Sequence, residues 1–255
     1  MLTNLIEISI FIFGMNIGSF MNVCIYRLPA SKSIINPARS ICPNCGNIIR
    51  FYDNIPVLSY LWLKGKCRHC NSPIAFRYLL IELIGGFFAL CIYFKFGITI
   101  EAFLYYALIS SLLVITFIDI DHQIIPDVIS LPGIPIFFLA SFAFAAITYK
   151  DSLLGILAGG GSLLLVAVTY SLLTKKEGMG GGDIKLLAMI GAALGWKGVL
   201  FTIFIGSAIG SLAGIIIILR TRRGLKLAVP FGPFLSMGAI IYIFFGSGII
   251  HWYLK

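Results

Sequence analysis

Hydrophobic residues run along this chain in long blocks, separated by short polar segments, and most blocks are the length of a bilayer. Apolar runs fall at roughly 5–25, 79–98, 102–118, 128–148, 152–174, 184–195, 198–219 and 234–252. A helix needs about 20 apolar residues to cross the hydrocarbon core. The pattern therefore predicts an all-α polytopic membrane protein with about eight transmembrane helices, the sixth of them short and either partial or tilted. The N-terminal run has no basic residue before it, and Arg27 follows it. That polarity predicts a retained first helix with its N-terminus outside rather than a cleaved targeting segment. The one long polar stretch is 27–77.

Composition supports this reading. Of 255 residues, 59% are hydrophobic and 11% charged, with mean hydropathy +1.01; an ordinary soluble domain carries about 25% charged residues. The net charge of +9 raises nucleic acid as a partner, but in a membrane protein basic residues mark the cytoplasmic side. Threading the eight runs from an outside N-terminus places 27–77, 119–127, 175–183 and 220–233 on one side. Fifteen of the nineteen Lys and Arg residues fall there, counting Lys185 just inside the sixth run; Lys95, Lys150, Lys197 and Lys255 lie opposite. That side is cytoplasmic by the positive-inside rule, and no nucleic-acid partner is needed.

Two carboxylates change the picture. Asp119 sits at the end of the third run in Thr116-Phe-Ile-Asp119-Ile-Asp121-His122, and Asp183 opens the sixth in Gly178-Met-Gly180-Gly181-Gly182-Asp183-Ile-Lys185. An ionisable residue at the edge of a bilayer is costly to keep and is a functional candidate by default. The third run goes outside to inside and the sixth inside to outside. Both carboxylates are thus predicted near the cytoplasmic face, where two acids can share a proton and activate a water. Asp121 is an alternative partner, a carboxylate that supports the pair from behind, or a solvated loop residue, and spacing alone does not separate it from Asp119. Asp127, after Pro126, reads most simply as the N-cap of the fourth helix.

The glycines before Asp183 allow positive φ and close backbone approach, and they place the carboxylate at a helix N-terminus, where the dipole favours its charge. A flexible linker accounts for the glycines but not for the acid. Gly155, Gly159, Gly206, Gly210 and Gly214 have the small-xxx-small spacing of close helix packing. His122 reads as a loop residue, and His251, beside Trp252 and Tyr253, as an interfacial anchor. Glu7 and Glu82 lie in or near apolar runs with no assigned role.

The cytoplasmic segment 27–77 carries Cys42-Pro-Asn-Cys45 and Cys67-Arg-His-Cys70. Two CxxC pairs about twenty residues apart fit a tetrahedral four-thiolate zinc site, and a reducing compartment favours metal over disulfides. With all four positions taken by sulfur, the zinc is structural. His69 is a substitute ligand that four cysteines do not need. Cys24 and Cys91, in or at the edge of apolar runs, read as packing residues.

These motifs, in this order, resemble those of the type IV prepilin peptidases, bacterial GxGD-type intramembrane aspartyl proteases. The resemblance runs through Gly18-Ser-Phe-Met-Asn22-Val-Cys-Ile-Tyr-Arg27-Leu-Pro29, the double CxxC, Asp53-Asn-Ile-Pro56-Val-Leu-Ser59-Tyr60 and Arg77-Tyr-Leu-Leu-Ile-Glu82. It continues through Asp119-Ile-Asp-His-Gln-Ile-Ile-Pro126-Asp127 and Gly180-Gly-Gly182-Asp183-Ile-Lys185. It implies that Asp119 and Asp183 are the catalytic pair. It also implies an inner-membrane enzyme that cleaves the leader of prepilins or pseudopilins after a glycine at the cytoplasmic face, with the lipid bilayer as its surroundings. Many such enzymes then methylate the new N-terminal residue from S-adenosylmethionine. On this reading 1–100, with its zinc loop, belongs to methyl transfer and 101–255 is the peptidase core. No nucleotide fingerprint marks the donor site; Asn22, Arg27, Asp53, Asn54, Arg77 and Glu82 are the polar residues available to build one. A peptidase without methyl transfer is the near alternative. An ion-coupled transporter leaves the zinc loop unexplained, and a zinc-binding interaction module leaves both aspartates unexplained.

Overall fold

The protein is described from a computed structural model covering residues 2–37, 39–145, 147–175, 180–221 and 230–253. Gly178, Lys176, Arg222, Arg223, Lys226 and Lys255 lie outside the described residues, as do the side chains of Arg220 and His251. The described residues are helical throughout their regular structure: α1 Leu2–Arg27, a short α2 Leu58–Trp62, α3 Phe76–Phe96, α4 Ile100–His122, α5 Asp127–Ala140, α6 Tyr149–Thr174, α7 Gly181–Thr221 and α8 Gly232–Tyr253. Among the described residues, five helices are long and apolar enough to cross a membrane: those within 3–27, 76–96, 100–122, 149–174 and 181–217. Large apolar side chains such as Leu5, Ile8, Phe87 and Leu165 stand exposed on them, as lipid contact requires.

The chain divides into two compact units, Met1–Ser110 and Ser111–Lys255. In the first, α1 packs on α3 through paired glycines. A Cβ on Gly14 would lie 2.7 Å from the Gly85 carbonyl, and one on Gly18 2.7 Å from the Glu82 Cα, so the two backbones approach as closely as glycine permits. The Tyr106 hydroxyl donates to the Gly14 and Gly85 carbonyls (3.3 and 3.1 Å). In the second unit, α7 is the hub and packs on α5, α6 and α8. A side chain at Gly155 would collide with the Gly191 carbonyl, and one at Gly159 would meet Leu187. Gly206 and Gly210 pack against Phe234 in the same way, whereas Gly214 has open space around it. The spacing therefore marks packing at four of the five predicted glycines.

The hydropathy reading holds at one interior break and fails at two helix ends, each for a physical reason. The apolar runs 184–195 and 198–219 are two helical arms that meet at Gly195 (φ 70, ψ 178), a conformation that glycine adopts without Cβ strain. The arm before the break is short, in keeping with the short sixth run. The run 128–148 yields a helix only as far as Ala140; residues 141–145 are just as apolar but form turns. Its 14 residues rise about 21 Å, less than the ~30 Å hydrocarbon core. Finally, α4 does not stop at Asp119 but continues through His122.

Candidate active site and thiolate cluster

Leu108, Leu112 and Ile115 recur at helical spacing along α4 and are fully buried. Asp119 is the next position on that stripe and is only 5% exposed. Asp121 lies two residues further on, about 200° around the helix at 3.6 residues per turn, and is exposed. The extra helical turn that the sequence did not foretell is what separates the two acids.

The start of α8 touches Asp119, and the α4–α5 connection and the start of α7 gather around it. The amide of Gly232, first residue of α8, donates to its Oδ2 at 3.0 Å. A Cβ on Gly232 would sit 2.6 Å from that oxygen and 3.4 Å from Ile125. Ile125, in the α4–α5 connection, also lies 2.9 Å from where a Cβ of Gly182 would be. The glycines thus let the starts of α7 and α8 close around Ile125. Asp183 occupies the first turn of α7, partly buried and close enough to Asp119 for the two charges to interact. The structure therefore brings the two predicted acids together and leaves Asp121 and His122 on the exposed side. Gly232 and Ile125 escaped the sequence reading. The signal for Gly232 was Phe231-Gly-Pro233, a glycine and a proline opening the last apolar run; Ile125 carried none.

Asp127 is not an N-cap. Pro126 holds that position, with no side-chain cap, and Asp127 is the first helical residue. Its carboxylate instead accepts from Lys185 Nζ at 2.8 and 2.9 Å, tying the start of α5 to the first turn of α7, two residues from Asp183. The pair is substantially exposed, which limits its energetic worth.

In the first unit, the two CxxC segments form matching knuckles. The Cys42 amide donates to Asn47 O and the Cys67 amide to Ser72 O, both at 2.9 Å. Gly46 (φ 68) and Asn71 (φ 56), each directly after the second cysteine, take left-handed conformations. Isolated antiparallel bridges, Ile41 with Ile48 and Lys66 with Pro73, close each knuckle. The four sulfurs lie within 4.8 Å of one another, with Cys42 and Cys70 Sγ 3.9 Å apart. Tetrahedral Zn–S bonds of ~2.3 Å put sulfurs about 3.8 Å apart, so the residues fit the metal. The Ser72 hydroxyl, 3.0 Å from Cys70 Sγ, brings that thiol down to about 6. Cys45 receives the Asn47 amide, but lost hydration and the neighbouring Cys42, Cys70 and Cys67 sulfurs outweigh it and push Cys45 up to about 11. Four thiols at this distance cannot all ionise alone; a divalent cation removes the conflict. His69 is not one of the cluster. Cys24 is buried and Cys91 half-buried.

The polar residues of the N-terminal half hold this loop on the helices. Arg27, buried at the end of α1, donates to the carbonyls of Ser33, Ile34, Pro37 and Arg39. Arg68 donates to both Asp53 oxygens (2.8 and 2.6 Å), and that guanidinium holds the Asp53 carboxyl below its usual range. Asn22 Nδ2 donates to the Tyr78 carbonyl at 3.0 Å.

The fold and site together define an all-helical membrane protein with a paired-carboxylate centre and a separate four-thiolate cluster. Residues 12–96 match the Bacterial Peptidase A24 N-terminal domain, and residues 106–215 match the Type IV leader peptidase family. The prepilin leader peptidase/N-methyltransferase of Aeromonas hydrophila is 35% identical, with 96% of this chain and 92% of that protein aligned. The enzyme of that name from Pseudomonas aeruginosa is 36% identical (95% and 91%), and that from Myxococcus xanthus 36% (86% and 65%). No solved structure matches significantly. The chain belongs to the type IV leader peptidase family.

Proposed function

We propose that this protein removes the leader peptide of type IV prepilins or pseudopilins with Asp119 and Asp183 and then N-methylates the exposed residue. The observation that carries the cleavage step is the burial of Asp119 at the end of an apolar stripe, within electrostatic reach of Asp183 and held by the Gly232 amide. Two carboxylates this close do not both ionise cheaply, so the pair shares a proton and titrates as a unit. The ionised member takes a proton from water, the hydroxide equivalent attacks the scissile carbonyl, and the protonated member donates to its oxygen. The Gly232 amide fixes Asp119 in register for that exchange. The apolar helix of the substrate docks among the enzyme's helices and presents its scissile bond at their cytoplasmic end.

The placement in the bacterial inner membrane follows from the exposed apolar helices and from the family. Eight spans are reached when the arms of α7 on either side of Gly195, together with α5 and α8, each cross or nearly cross. With the N-terminus outside, the basic loops, the zinc knuckles and the acid pair share the cytoplasmic face. Cys42, Cys45, Cys67 and Cys70 hold a structural zinc that fixes the loop between α1 and α3. S-adenosylmethionine supplies an electrophilic methyl group; the N-terminal unit is its place, leaving the aspartates to hydrolysis. Incubation of the purified protein with a prepilin in detergent tests the reading: cleavage by wild type and none by Asp119→Asn is expected, whereas cleavage by both removes Asp119 from the mechanism. Ion flux in proteoliposomes without cleavage would support a transporter instead.

A further inference from the structure

The N-terminal unit holds a partly open cavity of about 410 Å³ between α1, α3 and the knuckle loop, within the ~300–1,000 Å³ range of small-molecule sites. On the loop side Ile41, Ile48 and Ile74 line it together with Cys42 and Cys67 of the thiolate cluster, beside polar Ser40, Asn47, Arg68 and His69. Tyr26, Tyr60 and Tyr78 supply aromatic faces. Two carboxylates line it, Asp53 and Glu82. Asp53 is engaged by Arg68. Glu82 is different: its Oε2 accepts the Val57 amide at 2.8 Å, and Ser19 is its other partner. A carboxylate in the apolar span of α3, held by neutral donors, is suited to a cationic guest.

The backbone at Val57 is a second, independent observation. Val57 has φ 64 and ψ −52, and the Leu58 amide donates to the Pro56 carbonyl at 2.6 Å. This is a γ-turn of the rare positive-φ form, centred on a β-branched residue that strongly disfavours it. Such strain persists only where surrounding structure enforces it, and it clusters at functional sites. Here the enforcing contact is Glu82. The carboxylate, the strained turn and the cavity form one arrangement, and Asn22 joins α1 to it through the Tyr78 carbonyl one helical turn before Glu82.

We propose that this cavity is the methyl-transfer site: S-adenosylmethionine lies against the apolar and aromatic wall beside the zinc knuckles, and Glu82 receives the α-amine of the cleaved pilin. The proposal rests on the methylating reading above. The neutral amine's lone pair attacks the methyl carbon, the carbon–sulfur bond breaks, and its electron pair stays on sulfur to give neutral S-adenosylhomocysteine. Before that attack the incoming ammonium gives one proton to Glu82, which passes it to water, and the N-methylated ammonium leaves as product. An α-amine has a pKa of about 8, so a sizeable neutral fraction exists near neutrality and an acceptor carboxylate suffices.

Calorimetric titration with S-adenosylhomocysteine, and photo-cross-linking of labelled S-adenosylmethionine followed by peptide mapping, test the placement directly. Cross-links within residues 19–82 are expected. Ser59→Trp, which fills the cavity from α2, is expected to weaken binding about tenfold or more, with zinc content and leader cleavage as controls for folding. Glu82→Gln keeps an acceptor for the Val57 amide but loses the charge; it should bind S-adenosylhomocysteine like wild type and methylate a pre-cleaved pilin about 100-fold more slowly. Cross-links confined to other residues, unweakened binding by folded Ser59→Trp, or full methylation by Glu82→Gln would overturn the proposal. Failure of wild-type protein to methylate pre-cleaved pilin at all would overturn the methylating reading itself, a different result.

Discussion

Asp119 and Asp121 differ by two positions, and the helix that carries both assigns them opposite surroundings. Asp119 continues the buried stripe of Leu112 and Ile115, while Asp121 is exposed. Asp119→Asn and Asp183→Asn are each expected to lower leader cleavage by about 10²–10⁴-fold or more while the protein stays folded. Asp127→Asn should cost little, because its partner Lys185 lies in an exposed pair worth about 0–1 kcal/mol. Cleavage rates of the three purified variants check this; a fully active Asp183→Asn would remove that residue from the pair. Gly232 makes a sharper claim. A methyl group there would stand 2.6 Å from Asp119 Oδ2, so Gly232→Ala must displace the carboxylate. Cleavage should fall about tenfold or more, since a misplacement near 1 Å costs up to about 10²-fold, with zinc content unchanged. Wild-type cleavage by that variant would mean the Gly232 contact does not position Asp119.

At the scale of elements, the knuckles are the part of the fold that local sequence specifies most fully. CxxC spacing placed the sulfurs, and Gly46 and Asn71 supply the left-handed residue that each knuckle needs. Purified protein is expected to carry about one zinc per chain, the stoichiometry of a four-thiolate site. Changing Cys42 and Cys45 to serine should release it and raise protease sensitivity across 40–72. Affinity should fall as pH falls, because the thiols must lose protons to bind metal. Reduced wild-type protein without zinc on metal analysis would refute the assignment. The helices were less legible. Hydropathy found α1, α3 and α6 to within a few residues, but it extended α5 past Ala140, because apolar composition does not distinguish a helix from the apolar turn that follows it. It did separate the two arms of α7 that meet at Gly195.

For the whole molecule, orientation and division of labour each lead to an expected outcome. An alkaline phosphatase reporter, active only outside, should be active when fused after Lys150 and inactive after Lys64, as the distribution of Lys and Arg requires; the reverse pattern would invert the topology. The two chemistries should separate by mutation. Given pre-cleaved pilin and labelled S-adenosylmethionine, the Asp183→Asn enzyme should still transfer methyl groups, and disruption of the zinc knuckles should impair methylation more than cleavage. Loss of methyl transfer in folded Asp183→Asn would place both reactions at one site.

The sequence by itself determined the membrane class, through blocks of apolar residues too long for a soluble core, and the thiolate knuckles, through CxxC pairs whose cysteines are near neighbours in the chain. It also put the two aspartates on the candidate list, because isolated acids in apolar runs are rare. Tertiary structure decided what depends on contacts between residues far apart in the chain. The Gly232 amide reaches Asp119 across 113 positions, Lys185 turns a presumed helix cap into an ion pair, and Glu82 holds a strained Val57 over a cavity. No periodicity encodes those contacts; they exist only because helix packing fixes which faces meet.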